Sequence, residues 1–149
     1  MPLIQGTHNG RAAVTTIAII DAAQYSEHKT SNESILKGAV PFKALIDTGA
    51  TSTMISRRVV TRLNLQPVTK LKFSGLGGDT WRNGYLFHIA FYISPPSRNT
   101  ETSKIQILKN VINGGELTDE YTFDVLLGMD VLTTGDLHIA KDGTFRFKF

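Results

Sequence analysis

No cysteine occurs among the 149 residues. That absence removes disulfides, thiolate nucleophiles and Cys-ligated metal sites together, and it suits a reducing compartment. No apolar run approaches the roughly 20 residues that a membrane-spanning helix requires. The start, Met1-Pro2-Leu3-Ile4-Gln5-Gly6, has neither the basic end nor the apolar core of a secretory signal. The expectation is a soluble, cytoplasmic chain without membrane contact. Charge of one sign is also scarce: 16 Lys and Arg against 13 Asp and Glu leave +3, and Arg57-Arg58 is the only adjacent basic pair. A nucleic-acid partner is therefore not expected. His8, His28, His88 and His138 are far apart and never in His-Glu-x-x-His spacing, so no metal site is expected. There is no Gly-x-Ser-x-Gly elbow for a serine hydrolase. Gly75-Leu76-Gly77-Gly78 lacks the Gly-Lys-Ser/Thr ending of a phosphate loop. No cofactor is expected.

What is present is enough apolar content, 41%, for one domain over residues 1–149 with a substantial core. Val14 to Ile20 is rich in β-branched residues and reads as a strand; a polar surface loop over residues 22–38 follows. Val40 to Ile46 reads as the next strand. Ser56 can cap a helix from Arg57 to about Leu65, with Val59, Val60 and Leu63 on one face, and Pro67 is expected to end it. Lys70 to Phe73 and Gly84 to Ile93 read as strands, the second placing Tyr85, Phe87, Ile89, Phe91 and Ile93 on one face at period two. Between them the glycine-rich run predicts a long hairpin with a mobile tip. Residues 95–103 read as a second surface loop. Lys104 to Ile112 reads as a strand, Asn113-Gly114-Gly115 as a turn, and Phe123 to Leu127 as a short buried strand. One or two helical turns over Asp130 to Thr134, stopped by Gly135, precede a terminal hairpin of Leu137–Ala140 and Thr144–Phe149 around Lys141-Asp142-Gly143. Many short strands and one or two short helices predict a closed all-β architecture.

The chemistry concentrates in Asp47-Thr48-Gly49, which sets a carboxylate on a tight glycine turn directly after the apolar Ala44-Leu45-Ile46. Small and hydroxyl residues, Ala50, Thr51, Ser52 and Thr53, follow. About 75 residues later comes Val125-Leu126-Leu127-Gly128-Met129-Asp130-Val131-Leu132, an apolar pair before a glycine and a short helix. Asp124, Asp130 and Asp136 form no convincing acidic cluster; Asp130 reads as a helix cap and Asp136 as a turn residue.

From about Val14 to its end, the chain resembles the retropepsin-like aspartic proteases, the single-domain dimeric relatives of retroviral protease. The resemblance implies a closed acid-protease barrel that is one half of a pepsin-like bilobal architecture. It implies Asp47 as the catalytic residue, with Thr48, Gly49 and Ala50 supporting its loop and Leu126, Leu127 and Gly128 as the second signature. Residues 73–85 match the flap, with Gly75, Leu76, Gly77, Gly78 and Trp81 as substrate-contacting candidates; Trp81 could equally pack the flap on the body. The helix after Ser56 and the tail from Leu127 to Leu137 look like the bacterial or cellular branch. Viral members commonly pair an acidic residue two positions after the motif glycine with an arginine after the second glycine, and Thr51 and Met129 stand there instead. The chain carries one Asp-Thr-Gly and no Asp-Ser-Gly, whereas the chemistry uses two carboxylates. The implied enzyme is a homodimeric endopeptidase acting on peptides or unfolded segments; the alternative is an inactive peptide-binding or dimerisation module. The terminal strand Phe145-Arg146-Phe147-Lys148-Phe149 serves either the dimer interface or its own sheet.

Overall fold

The computed structural model describes residues 2–25, 35–75, 77–93, 105–118 and 121–149. Two sheets account for them. The smaller contains β1 (Leu3–Thr7), β10 (Asp136–Ile139) and β11 (Thr144–Lys148), with β11 in the centre. The larger runs β2 (Ala13–Asp21), β3 (Phe42–Ile46), β9 (Val125–Leu127), β4 (Met54–Ser56), β8 (Ile112–Leu117), β6 (Gly78–Tyr92) and β5 (Thr69–Gly75), and β7 (Ile105–Ile107) also pairs with β6. Because β6 pairs with β2 as well as β8, the path closes on itself. Closure is possible because β6 is 15 residues long and serves different partners along its length: β5 from Gly78 to Gly84, β8 from Gly84 to Phe87, and β2 from Phe87 to Phe91. The expected all-β retropepsin-like class, with few short helices, is the observed one.

Alternation along β2 and β6 builds two cores, one on each side of the sheet. Inward go Ile17, Ile19, Phe87, Ile89 and Phe91, joined by Ile55, Val59, Val125 and Leu127. Each such side chain contributes on the order of 1.5–3 kcal/mol by leaving water. Outward go Ala18, Ile20 and Ala90, yet these are buried too, since Tyr25, Ile35, Leu36 and Ala39 pack over them. The two ends of the polar excursion at 22–38 thus form a lid over a second apolar cluster, and Tyr25 stacks on buried His88 at 3.9 Å. The centre of that loop, and the whole of the loop at 95–103, lie outside the described residues.

The helix α1 (Arg57–Leu63) begins as expected, with Ser56 Oγ accepting from Val59 N–H. It ends earlier than the proline suggests: Asn64 adopts the left-handed conformation (φ 51°) and its N–H returns to Thr61 and Val60 carbonyls, a cap that Asn tolerates without strain. The β6 face ends at Tyr92, so Ile93 falls outside the strand. The expected single strand Lys104–Ile112 is two strands, β7 and β8, separated by Leu108–Val111.

Asn113-Gly114-Gly115 is not a turn. These residues lie inside β8, and the glycines are there for space: a Cβ on Gly114 would stand 2.6 Å from the Phe87 ring, and one on Gly115 2.5 Å from Phe73. The strand gives up side chains so that two phenylalanines can lie against its backbone.

The terminal hairpin forms as expected, and β11 pairs β10 on one edge and β1 on the other. The strand is thus the centre of a sheet within its own chain. β1 itself, unanticipated in the sequence, supplies the outer edge, its Ile4 buried with Phe145 and Phe147.

Candidate active site

Three short elements fix Asp47. β9 inserts between β3 and β4, parallel to the first (Ile46 opposite Leu127) and antiparallel to the second (Met54 opposite Leu126). The chain leaving β3 must loop around the end of β9 before returning as β4, and residues 47–53 are that loop. Its first residue stays in the ladder, since Asp47 N–H donates to the Leu127 carbonyl at 3.0 Å. The turn then closes through Ala50 N–H to the Asp47 carbonyl, and Gly49 N–H donates to Asp47 Oδ1 at 2.9 Å. A Cβ at Gly49 would lie 3.2 Å from that oxygen, so the glycine leaves the carboxylate room to be held by its own loop.

The second signature grips the loop from behind. Met129 N–H donates to Ala50 O and Asp130 N–H to Thr51 O. Asp130 then turns its carboxylate back onto Thr53: Oδ1 and Oδ2 both accept from Thr53 N–H at 3.0 Å, and Oδ1 accepts from the Thr53 hydroxyl at 2.7 Å. The same hydroxyl accepts from Gly128 N–H at 3.0 Å. Thr53 is fully buried, so each of these groups would be costly to leave unpaired. Gly128 admits no side chain, because a Cβ would stand 2.5 Å from the Ser52 carbonyl carbon.

Asp130 is consequently not the helix cap expected of it. The N-cap of α2 (Met129–Leu132) is Gly128, which makes no side-chain cap bond; Asp130 sits two residues on, in the first turn, and its carboxylate bonds Thr53. The expected stop at Gly135 is likewise replaced by Thr133. Asp136 opens β10 rather than a turn. Asp124 accepts from Lys43 N–H and pairs with Arg58, which ties β3 to α1.

Asp47 and the exposed Thr48 line a cavity of about 300 Å³ whose other walls are His8, Gly10, Arg11, Ala12, Ala13, Ile46 and Ile139. No second carboxylate borders it among the described residues. The β1–β2 loop is the part that sequence reading missed. Its signal was Asn9-Gly10: Asn9 Oδ1 accepts from Arg11 and Ala12 N–H groups, and Gly10 has φ +80°.

The glycine-rich hairpin is present as β5 and β6, turning through Gly77 and Gly78 (φ +95°), with Leu76 outside the described residues. Lys72 and Ser74 both bond Asp79 across it, at 2.8 and 2.7 Å, and these bonds hold the Asp79 carboxyl below its ordinary value. One side of the hairpin borders a cleft of about 340 Å³ with Phe73, Met54, Gly75, Gly77, Gly78 and Tyr121 in its lining. Trp81 lies elsewhere, 67% exposed, in a separate cleft with Arg57, Lys70, Asn83 and Glu116. The sequence-derived site thus divides: Asp47, Thr48, Gly49 and Ala50 are gathered with Leu126, Leu127 and Gly128, while Trp81 borders neither the Asp47 cavity nor the Phe73 cleft. Among the described residues, no group of three or more His, Asp or Glu could hold a metal, and no helix is long and apolar enough to cross a membrane.

A crystal structure of a retropepsin-like aspartic protease from Rickettsia conorii has a similar fold, with TM-score 0.53 and 13% identity over 97% of this chain and 89% of that one. A search of curated proteins gives no match. The profile of the "gag-polyprotein putative aspartyl protease" family matches residues 33–134, a span that holds both the Asp47 turn and the Gly128 signature. The chain belongs to this retropepsin-like aspartyl protease family.

Proposed function

We propose that the protein is a homodimeric aspartic endopeptidase in which two copies of Asp47, one per subunit, activate a water between them. The observation that carries this reading is a single carboxylate, lining an open cavity from a hydrogen-bonded loop, with no other acid beside it among the described residues. Peptide hydrolysis by this chemistry needs a base for the water and an acid for the carbonyl oxygen. Two like carboxylates sharing one proton supply both, and aspartic-protease dyads are the established example of such coupled titration. The missing acid must therefore come from a second chain related by a two-fold axis, an isologous contact.

In this arrangement one Asp47 takes a proton from the water while its protonated counterpart donates to the scissile carbonyl. Gly49 N–H, already on Oδ1, holds the carboxylate plane, leaving the other oxygen toward the axis. Thr48 braces the two loops against one another. The hairpin carrying Gly75, Leu76, Gly77 and Gly78 covers an extended substrate and offers strand-like main-chain hydrogen bonds. Peptide-library cleavage at several pH values tests the reading. Cleavage with an acidic optimum that is lost in Asp47→Asn supports it, while activity retained in the purified variant, or in a strictly monomeric species, contradicts it.

A further inference from the structure

We propose that Arg11 is a specificity residue that selects substrates carrying Asp or Glu close to the cleaved bond. The inference rests on the endopeptidase reading and concerns its substrate class. Arg11 lines the same cavity as Asp47. Its guanidinium makes no hydrogen bond or ion pair among the described residues, and it forms none with Asp47. Its backbone, by contrast, is held: Asn9 Oδ1 accepts from its N–H at 2.9 Å, Asn9 N–H donates to Ala12 O, and His8 N–H donates to Gly143 O. The loop that carries the charge is thus anchored on both sides.

The other cations of the region are engaged. His8 is held at both ring nitrogens, Nε2 on the Ala140 carbonyl and Nδ1 on Gly10 N–H. Arg146 and His8 face the Asp142 carboxylate. Farther off, Arg57 pairs with Glu116 and Arg82 donates to the Glu116 carbonyl. Arg11 alone brings to the Asp47 cavity a fixed positive charge with five unused donors, a fork that suits a carboxylate. Two-fold symmetry would place one such fork on each side of the substrate.

The test compares two peptides that differ only in Glu against Gln at the positions flanking the bond. Cleavage is measured with wild type and Arg11→Gln at pH 6 and pH 3, and binding by fluorescence anisotropy on Asp47→Asn and the Asp47→Asn/Arg11→Gln double variant. Exposed ion pairs of this kind predict about a three- to fivefold kcat/KM preference for Glu at pH 6. The preference should vanish at pH 3, where a Glu with pKa about 4.3 is protonated, and vanish at both pH values in Arg11→Gln with Gln-peptide cleavage unchanged. Equal cleavage of both peptides by wild type overturns the proposal and leaves the endopeptidase reading intact. So does an Arg11→Gln variant that loses both peptides equally, or that sediments as monomer, since either marks a structural role. A Glu preference in binding that Arg11→Gln abolishes, with no cleavage by wild type, supports the proposal and sinks the endopeptidase reading. Neither binding nor cleavage overturns both.

Discussion

Replacing Thr53 by Val tests the junction that holds the Asp47 loop. Valine nearly matches threonine in shape, so the perturbation is the loss of one buried hydroxyl. That hydroxyl does two things: it donates to the Asp130 carboxylate at 2.7 Å and accepts from Gly128 N–H at 3.0 Å. A hydrogen bond to a charged group is worth about 1.5–3 kcal/mol, and a buried donor left unsatisfied costs about 1–3 kcal/mol. The two losses overlap and the new methyl recovers some apolar burial, which leaves about 3 kcal/mol. Thr53→Ser keeps the hydroxyl and forfeits only a buried methyl, about 1 kcal/mol. Urea denaturation at one fixed protomer concentration separates the two, because the proposed dimer would make apparent stability concentration-dependent. Peptide cleavage should follow the same order, since the loop that Thr53 anchors carries Asp47. A Thr53→Val protein no less stable than Thr53→Ser would refute the reasoning, for it would mean that the buried hydroxyl network contributes nothing.

Further outcomes follow from the same geometry. Gly114→Ala places a Cβ 2.6 Å from the fully buried Phe87 ring and should destabilise by about 1–3 kcal/mol; combined with Phe87→Leu it should cost less than the sum of the single changes, and strict additivity in a double-mutant cycle would contradict the contact. The Thr144 hydroxyl and N–H both donate to Asp142 and hold its carboxyl below the ordinary 3.8, with a smaller contribution from nearby His8 and Arg146. A depressed folded value means that the unfolded chain binds the proton more readily, so this stabilisation is present above pH about 4 and fades as pH falls through the folded value. Asp142→Asn should therefore flatten the acid limb of a Tm-against-pH curve between pH 2 and 5; an unchanged limb would remove Asp142 from the account.

The parts of the fold visible in the sequence are those with a local cause. The terminal hairpin declared itself by alternation around Lys141-Asp142-Gly143, and α1 by its Ser56 cap. Asp47 was legible because a strand, a turn and a glycine stand together in eleven residues. What escaped depends on tertiary neighbours. Gly114 and Gly115 look like a turn until Phe87 and Phe73 are seen lying on them. Asp130 looks like a cap until Thr53, 77 residues away, is seen to donate to it. β1 is short and carries one buried residue, and its reason to be a strand is the edge that β11 offers it. His8 and Arg11 reach the Asp47 cavity only because that pairing brings the β1–β2 loop over it.

The central claim is that one active site needs Asp47 from two copies of the chain. Co-refolding a fixed amount of wild type with an equal amount of Asp47→Asn tests it most directly. Random pairing puts about half of the wild-type subunits into mixed dimers, so activity should fall to about half that of wild type refolded alone, and decline further as the variant is raised. Activity that stays constant while mixed dimers are shown to form would contradict the account, because a single carboxylate would then suffice.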